Sequence, residues 1–198
     1  MIEEVIHFTS GGLRLAGALA RTAGSRGVVI AHPHPLYGGD MDNPVVIAIR
    51  QAYLHRGFST LRFNFRGVDA SAGHFDNGVG ERADAQAALT WAAGLGITDI
   101  DLAGYSFGAW VNASITAGCR RMVMVSPPVA FMSFDPPAAI ERLGLIVTGS
   151  RDEIAPPATI AGYRSAWNPA AAFEVIPEAD HFYTGSLKTL EDKIAAFI

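Results

Sequence analysis

The residues most able to do chemistry in this sequence are Gly104-Tyr105-Ser106-Phe107-Gly108. An apolar run, Ile100 to Ala103, leads into them, and a helical pattern follows. In that setting G-x-S-x-G makes a sharp strand-to-helix turn that holds the serine hydroxyl above the sheet. The glycines are needed because strand and helix close on each other two positions either side of the serine, where side chains would collide. Strain at such a turn costs on the order of 1–3 kcal/mol. Ser106 is therefore the expected nucleophile.

A serine hydroxyl attacks well only when a base takes its proton and an acid orients that base. Asp152 follows the apolar run Leu145 to Thr148, and His181 follows a further β-rich run, Phe173 to Ile176. Ser, Asp and His in that chain order, each just past a strand, make Asp152 the expected acid and His181 the expected base. Asp180 and Glu153 are the alternative acids. Asp180 is adjacent to His181, and neighbouring side chains seldom bend onto one another's ring. Among the other histidines, His7 and His55 read as structural, and His74 lies in a glycine-rich loop.

Charge developing on the substrate oxygen calls for two N–H donors. Phe107, next to the nucleophile, supplies one. The loop Ala31-His32-Pro33-His34-Pro35-Leu36-Tyr37-Gly38-Gly39 supplies the other, and since prolines have no N–H, the candidates are His34 and Leu36. His34 is favoured. Leu36, Tyr37, Phe131 and Phe182 are expected to contact substrate, and Val129, Met132 and Phe134 share the proline-rich stretch 126–137 with Phe131. His32 and His34, with Asp40 and Asp42 beyond, also allow a metal reading. No third histidine or cysteine stands at ligand spacing, so neither metal nor cofactor is expected, and His32 is expected to brace the loop.

The elements that must position these residues alternate along the chain. Glu4–Thr9 and Leu13–Ala20 read as strands joined by a tight turn at Ser10-Gly11-Gly12, hence antiparallel. Further strands are expected at 27–31, 59–65, 100–103, 122–125, 145–148 and 173–176. Helices are expected at 43–56, capped by Asn43 with Pro44 in its first turn, and at 81–93, 107–117, 157–166 and 185–198. The loop 66–80 carries Arg66, Asp69, His74 and Asp76 as either substrate contacts or turn residues. Alternating strands and helices imply a mostly parallel eight-stranded sheet covered on both faces, with function at the C-terminal strand ends. One domain, 1–198, is expected.

Composition agrees with an ordinary globular chain of 198 residues, 49% hydrophobic and 17% charged. A net charge of −4 with scattered basic residues argues against nucleic acid. The acidic start Met1-Ile2-Glu3-Glu4-Val5 is unlike a secretory leader, and no apolar run approaches the ~20 residues of a membrane span. One cysteine, Cys119, at the far end of the helix from Ser106, allows no internal disulfide. The expected setting is the cytoplasm, with a small-molecule substrate and a homo-oligomer left open.

His32-Pro33-His34-Pro35 with Gly38-Gly39 and Met41-Asp42-Asn43, then Phe63-Asn64-Phe65-Arg66-Gly67-Val68, resemble a known pattern. With Ser71, Gly73, Gly104 to Gly108, Gly149 with Asp152, and Asp180-His181-Phe182, they resemble the small, lid-less bacterial proteins of the α/β-hydrolase superfamily. These are related to dienelactone hydrolases and carboxylesterases, and the resemblance covers nearly the whole chain. It implies a Ser106/Asp152/His181 triad and ester-like substrates. Serine stands here where dienelactone hydrolases have cysteine. The stretch after the sixth strand is too short for a helical cap. The other function class is a catalytically silent scaffold of the same fold that binds a ligand; thioesterase and peptidase are variants within the enzyme reading.

Overall fold

The computed structural model describes residues 2–134 and 139–198. The strands are β1 (Glu4–Ser10), β2 (Leu13–Ala20), β3 (Arg26–Ala31), β4 (Ser59–Phe63), β5 (Asp99–Tyr105), β6 (Arg121–Val125), β7 (Leu143–Gly149) and β8 (Ala172–Ile176). The helices are α1 (Pro44–His55), α2 (Val79–Gly94), α3 (Phe107–Asn112), α4 (Pro157–Trp167) and α5 (Leu187–Phe197). All eight strands form one sheet in the order β1-β2-β4-β3-β5-β6-β7-β8. It is mixed: β1 pairs antiparallel with β2, and β2 antiparallel with β4, while β4, β3 and β5 to β8 run parallel.

The central strands are apolar without a break because both faces are covered. In β3, Val28 and Ile30 join a core shared with Val45, Ile49 and Tyr53 of α1 and Leu190 and Ile194 of α5. Val29 and Ala31 point the other way, into a core with Ala85 and Leu89 of α2, Val111 of α3 and Trp167 of α4. Side chains alternate across a strand, so each central strand feeds two cores at once. Helix α1 begins as its sequence dictates, with Asn43 Oδ1 accepting from the Val45 N–H at 2.9 Å and Pro44 in the first turn.

The element ends depart from expectation in informative places. Helix α3 stops at Asn112, not at residue 117. Beyond it the Ser114 and Ile115 amides donate to carbonyls three residues back, and the chain then leaves through Gly118 at φ 89° to begin β6. Ser-Ile-Thr is weak in propagating a helix, and the tightened turn ends it. Cys119 is consequently not on the helix; it lies buried on the approach to β6. Helix α2 starts earlier than expected, because the buried Glu81 carboxylate takes the N–H groups of Asp76 (2.9 Å) and Gly78 (2.7 Å). Strand β4 ends at Phe63, two residues short of the expected 65.

At the C-terminal edge of the sheet, β7 and the turn after β8 touch backbone to backbone. A Cβ on Gly149 would sit 2.2 Å from the Ala179 carbonyl oxygen. That contact brings the loop of Asp152 against the loop of His181. Gly149→Ala is expected to destabilise the fold by about 1–3 kcal/mol, read as a lower urea midpoint. Gly94→Ala, where a Cβ meets nothing within 4 Å, is the control. It should be neutral or stabilising by up to about 1 kcal/mol.

Candidate active site

Ser106 sits between β5 and α3 with φ 52° and ψ −118°, a conformation that non-glycine residues rarely adopt. Packing holds it there. A Cβ on Gly104 would lie 2.6 Å from the Gly108 backbone, and one on Gly108 would lie 2.4 Å from the Ala31 carbonyl oxygen. The Ser106 N–H donates to Val125 O of β6 at 2.9 Å, and its carbonyl accepts the first helical bond, from the Trp110 N–H at 3.1 Å. The serine is thus pinned on both sides, and its hydroxyl is left to the surface above the sheet.

His181 Nε2 lies 3.0 Å from Ser106 Oγ, and its Nδ1 lies 2.9 Å from both carboxylate oxygens of Asp152. Asp152 is buried and also accepts from the N–H groups of Ile154 (3.0 Å) and Ala155 (2.7 Å). Burial would raise its pKa. Hydrogen bonding and the field of His181 outweigh it, aided by Ser126 and the Ala155 N–H, and hold the carboxyl below its ordinary 3.8. An ionised Asp152 accepts a hydrogen bond from His181 Nδ1–H, which leaves the lone pair of Nε2 toward the serine hydroxyl. The Tyr105 hydroxyl donates to the His181 carbonyl at 2.9 Å, and Tyr183 shares a 2.8 Å hydrogen bond with Ser126. Burial pushes both phenol pKa values up, so both stay protonated. Asp180 turns away: its Oδ1 accepts the Thr184 N–H at 3.1 Å.

The loop after β3 curls into a short 3-10 turn at Pro35–Tyr37. His34 Nδ1 accepts the Leu36 N–H at 3.2 Å, which occupies the competing amide. Among the described residues, no hydrogen-bond partner accompanies the N–H of His34 or of Phe107, and both residues line the same cleft as Ser106. His32 braces the loop: its Nδ1 donates to Pro33 O at 2.6 Å, and its Nε2 accepts the Phe65 N–H at 3.0 Å. Both nitrogens are used, and no group of three His, Cys, Asp or Glu side chains among the described residues is placed to hold a metal.

Two clefts meet at Ser106. One, of about 380 Å³, is walled by Tyr37, Phe107, Pro128, Phe131, Met132 and Ile154. The other, of about 250 Å³, is walled by Tyr37, Gly38, Asn43, Tyr105, His181 and Phe182. Of the expected substrate contacts, Tyr37, Phe131 and Phe182 line these clefts. Leu36 does not: the 3-10 turn leaves it exposed, outside both. Phe134 is instead buried against Trp167, ring centres 4.8 Å apart, and Val129 packs on the core edge. Residues 135–137 of that stretch lie outside the described residues. Arg66 is not available to substrate, since it forms a bidentate pair with buried Asp84 (2.9 and 2.8 Å). Asp69 accepts from Asn64 at 3.0 Å, a turn role. His55 pairs with Glu191 at 3.0 Å. Sequence reasoning missed Ile154, which carries no signal beyond its place two residues after Asp152.

A mixed eight-stranded sheet of this order, with a sharply turned serine at the end of β5, defines an α/β fold of the hydrolase type. No family model matches the chain. It is similar to a solved alpha-beta serine hydrolase homologue from Coxiella burnetii, at 34% identity, with 99% of this chain and 97% of that one covered and a TM-score of 0.89. It is also similar to a Xanthomonas campestris serine hydrolase described as having no lid, at 26% identity, covering 98% and 92%, with a TM-score of 0.87. An uncharacterised protein of Rickettsia prowazekii is 32% identical over 195 residues, which cover 90% of this chain and 81% of that protein. The chain belongs to the α/β-hydrolase superfamily. Among the described residues, no helix is long and apolar enough to cross a membrane.

His32 gives the site region a signature in acid. Burial pushes its pKa down to about 4, against an opposing contribution from the Pro33 carbonyl and a small further lowering from His34. In the unfolded chain an ordinary value near ~6.5 applies. Between those values the unfolded state binds more protons, so stability is full above about 6.5 and is lost as pH falls toward 4. The loss reaches on the order of 3 kcal/mol. Asp152 and Glu3 have lowered values, so their contributions are lost only as pH falls below their ordinary 3.8 and 4.5. Urea midpoints at pH 7.5 and 5 should differ in the wild type and converge in His32→Gln. An undiminished acid loss in the variant would exonerate His32.

Proposed function

We propose that the protein is a serine hydrolase that cleaves carboxylic esters through an acyl-enzyme on Ser106. The observation that carries this reading is the unbroken hydrogen-bond chain Asp152–His181–Ser106, built from three separate strand ends. In the proposed first step His181 Nε2 takes the proton of Ser106 Oγ, which attacks the ester carbonyl. The N–H groups of Phe107 and His34 hold the oxyanion. Asp152 keeps His181 in the Nδ1–H tautomer and stabilises the imidazolium. As the carbonyl re-forms, the C–O bond to the alcohol breaks and His181 passes its proton to the leaving oxygen. Water, deprotonated by His181, then adds to the acyl carbon; the acyl–serine bond breaks, the carboxylic acid is released, and His181 returns the proton to Ser106 Oγ.

The absence of a helix among the described residues between β6 and β7 supports hydrolysis over acyl transfer, because no helical cap among them closes over the mouth of the site. A single buried free cysteine fits a cytoplasmic setting.

A p-nitrophenyl acetate assay tests the mechanism. Ser106→Ala is expected to lose roughly 10³–10⁶-fold in kcat. Wild-type turnover in Ser106→Ala would sink the proposal.

A further inference from the structure

The two clefts at Ser106 are distinct in what they can accept, and the difference follows from His181. Resting on the proposed ester hydrolysis, the alkoxy oxygen that leaves must lie within hydrogen-bond reach of His181 Nε2 to receive its proton. His181 lines the 250 Å³ cleft and is not part of the wall of the 380 Å³ cleft. The alcohol therefore occupies the smaller cleft, beside Phe182, Asn43 and Gly38, and the acyl group occupies the larger one, beside Phe131, Met132 and Pro128; Ile154, His34 and Tyr37 border both.

The walls also set the charge of the substrate. Among the described residues, no Asp, Glu, Lys or Arg lines either cleft. The arginines of the neighbouring loops are spent elsewhere: Arg66 on Asp84, Arg62 on Glu3 and Asp42, Arg151 on Glu178. Two polar groups in the walls are committed to the fold. Asn43 Oδ1 caps α1, and the Tyr105 hydroxyl is given to the His181 carbonyl. His34 is held neutral by burial, its pKa lowered. A carboxylate in the acyl cleft would lose its water and find no cation, an outcome that strongly disfavours binding.

The mouth carries aromatic surface that water alone would not retain. Tyr37, Phe131 and Phe182 are 87%, 75% and 66% exposed, yet each belongs to a cleft wall beside Ser106. A substrate covering them buries apolar area on both partners. The larger cleft falls near the low end of the roughly 300–1,000 Å³ typical of small-ligand sites, room for a medium-length or aromatic acyl group.

We infer that the substrates are uncharged esters with a medium-length or aromatic apolar acyl group seated against Phe131 and Met132, and a compact alcohol seated against Phe182. Carboxylate-bearing acyl groups are rejected.

The test uses two ester series on the full chain, p-nitrophenyl esters from acetate to decanoate and acetate esters of alcohols from methanol to hexanol, with one charge-matched pair. In that pair, kcat/KM for p-nitrophenyl methyl succinate should exceed that for p-nitrophenyl hemisuccinate by at least about tenfold. Met132→Trp, which fills the larger cleft, should lower kcat/KM for octanoate relative to acetate by about tenfold and keep the order of rates within the alcohol series. Phe182→Ala should change the order within the alcohol series and keep the acyl-length profile, shifting all p-nitrophenyl esters by one common factor. Phe131→Ala, at an exposed ring that folding does not require, should weaken long acyl groups several-fold even if Met132→Trp fails to fold. Equal rates for the charged and neutral succinates, or an acyl-cleft variant that changes only the alcohol series, would overturn the inference. A fluorophosphonate probe separates the two levels. If it labels Ser106 while the substrate pattern is inverted, only the cleft assignment fails; if wild-type Ser106 stays unlabelled, the hydrolase reading fails with it.

Discussion

Three stretches of backbone meet at Ser106 with no side chain between them. The carbonyl of Ala31 at the end of β3 faces Gly108 in the first turn of α3, and Gly108 faces Gly104 at the end of β5. Helix α3 can approach the sheet this closely only because both positions lack a Cβ. The approach forces the residue between strand and helix into the left-handed region, and Ser106 stays there because Phe107, Ala109 and Val111 are buried immediately beyond it. Their burial, at about 1.5–3 kcal/mol for each large side chain, offsets the on the order of 1–3 kcal/mol of strain. The same contact sets the His32–His34 loop over the start of α3. The orientation of Ser106 and its neighbourhood of two N–H groups are therefore consequences of one close approach.

The parts legible in the sequence are those that a local rule governs. Strands β3, β6 and β7 are readable as apolar runs because they are buried on both faces, and α1 because Asn43-Pro44 starts a helix wherever it falls. Elementary geometry separates Asp152 from Asp180 in the sequence; in the structure Asp152 hydrogen-bonds His181, whereas Asp180 accepts the Thr184 N–H. The cleft walls were only partly readable, because they arise where four loops meet and share no period. Ile154 and Leu36 show this from opposite sides. Ile154 enters the wall because Asp152 ties down the amides that follow it, whereas Leu36 is turned out by a 3-10 turn that the prolines start and His34 Nδ1 completes. The early end of α3 belongs to the same class: where a helix stops depends on where β6 must begin.

Charge is distributed so that the site holds a single buried anion. Asp101, fully buried on β5, faces Arg120 and Arg121 and the Tyr53 hydroxyl, about 16 Å along the strand from Ser106. Glu3 draws together Arg50 and Arg62 on the far side of the loop after β3. Asp84 absorbs Arg66. In each case a buried or half-buried carboxylate is matched by guanidinium groups, the arrangement that burial of charge requires.

Asp152, like Glu81 at the start of α2, is held by neutral donors instead, and for Asp152 that difference bears on how it could act. It is buried like Asp101, yet its partners are the amides of Ile154 and Ala155, the Ser126 hydroxyl and the His181 imidazole. Neutral donors hold the carboxylate ionised without cancelling its charge. An arginine in their place would satisfy the carboxylate equally well in structural terms, but it would compete with the imidazolium that forms when His181 accepts a proton. The favourable field would then be spent in the ground state and not gained in the transition state, which is where an interaction must strengthen to accelerate a reaction. Amide donors leave that gain intact, so the choice of partners for Asp152 reads as a requirement of its coupling to His181 and, through it, to Ser106.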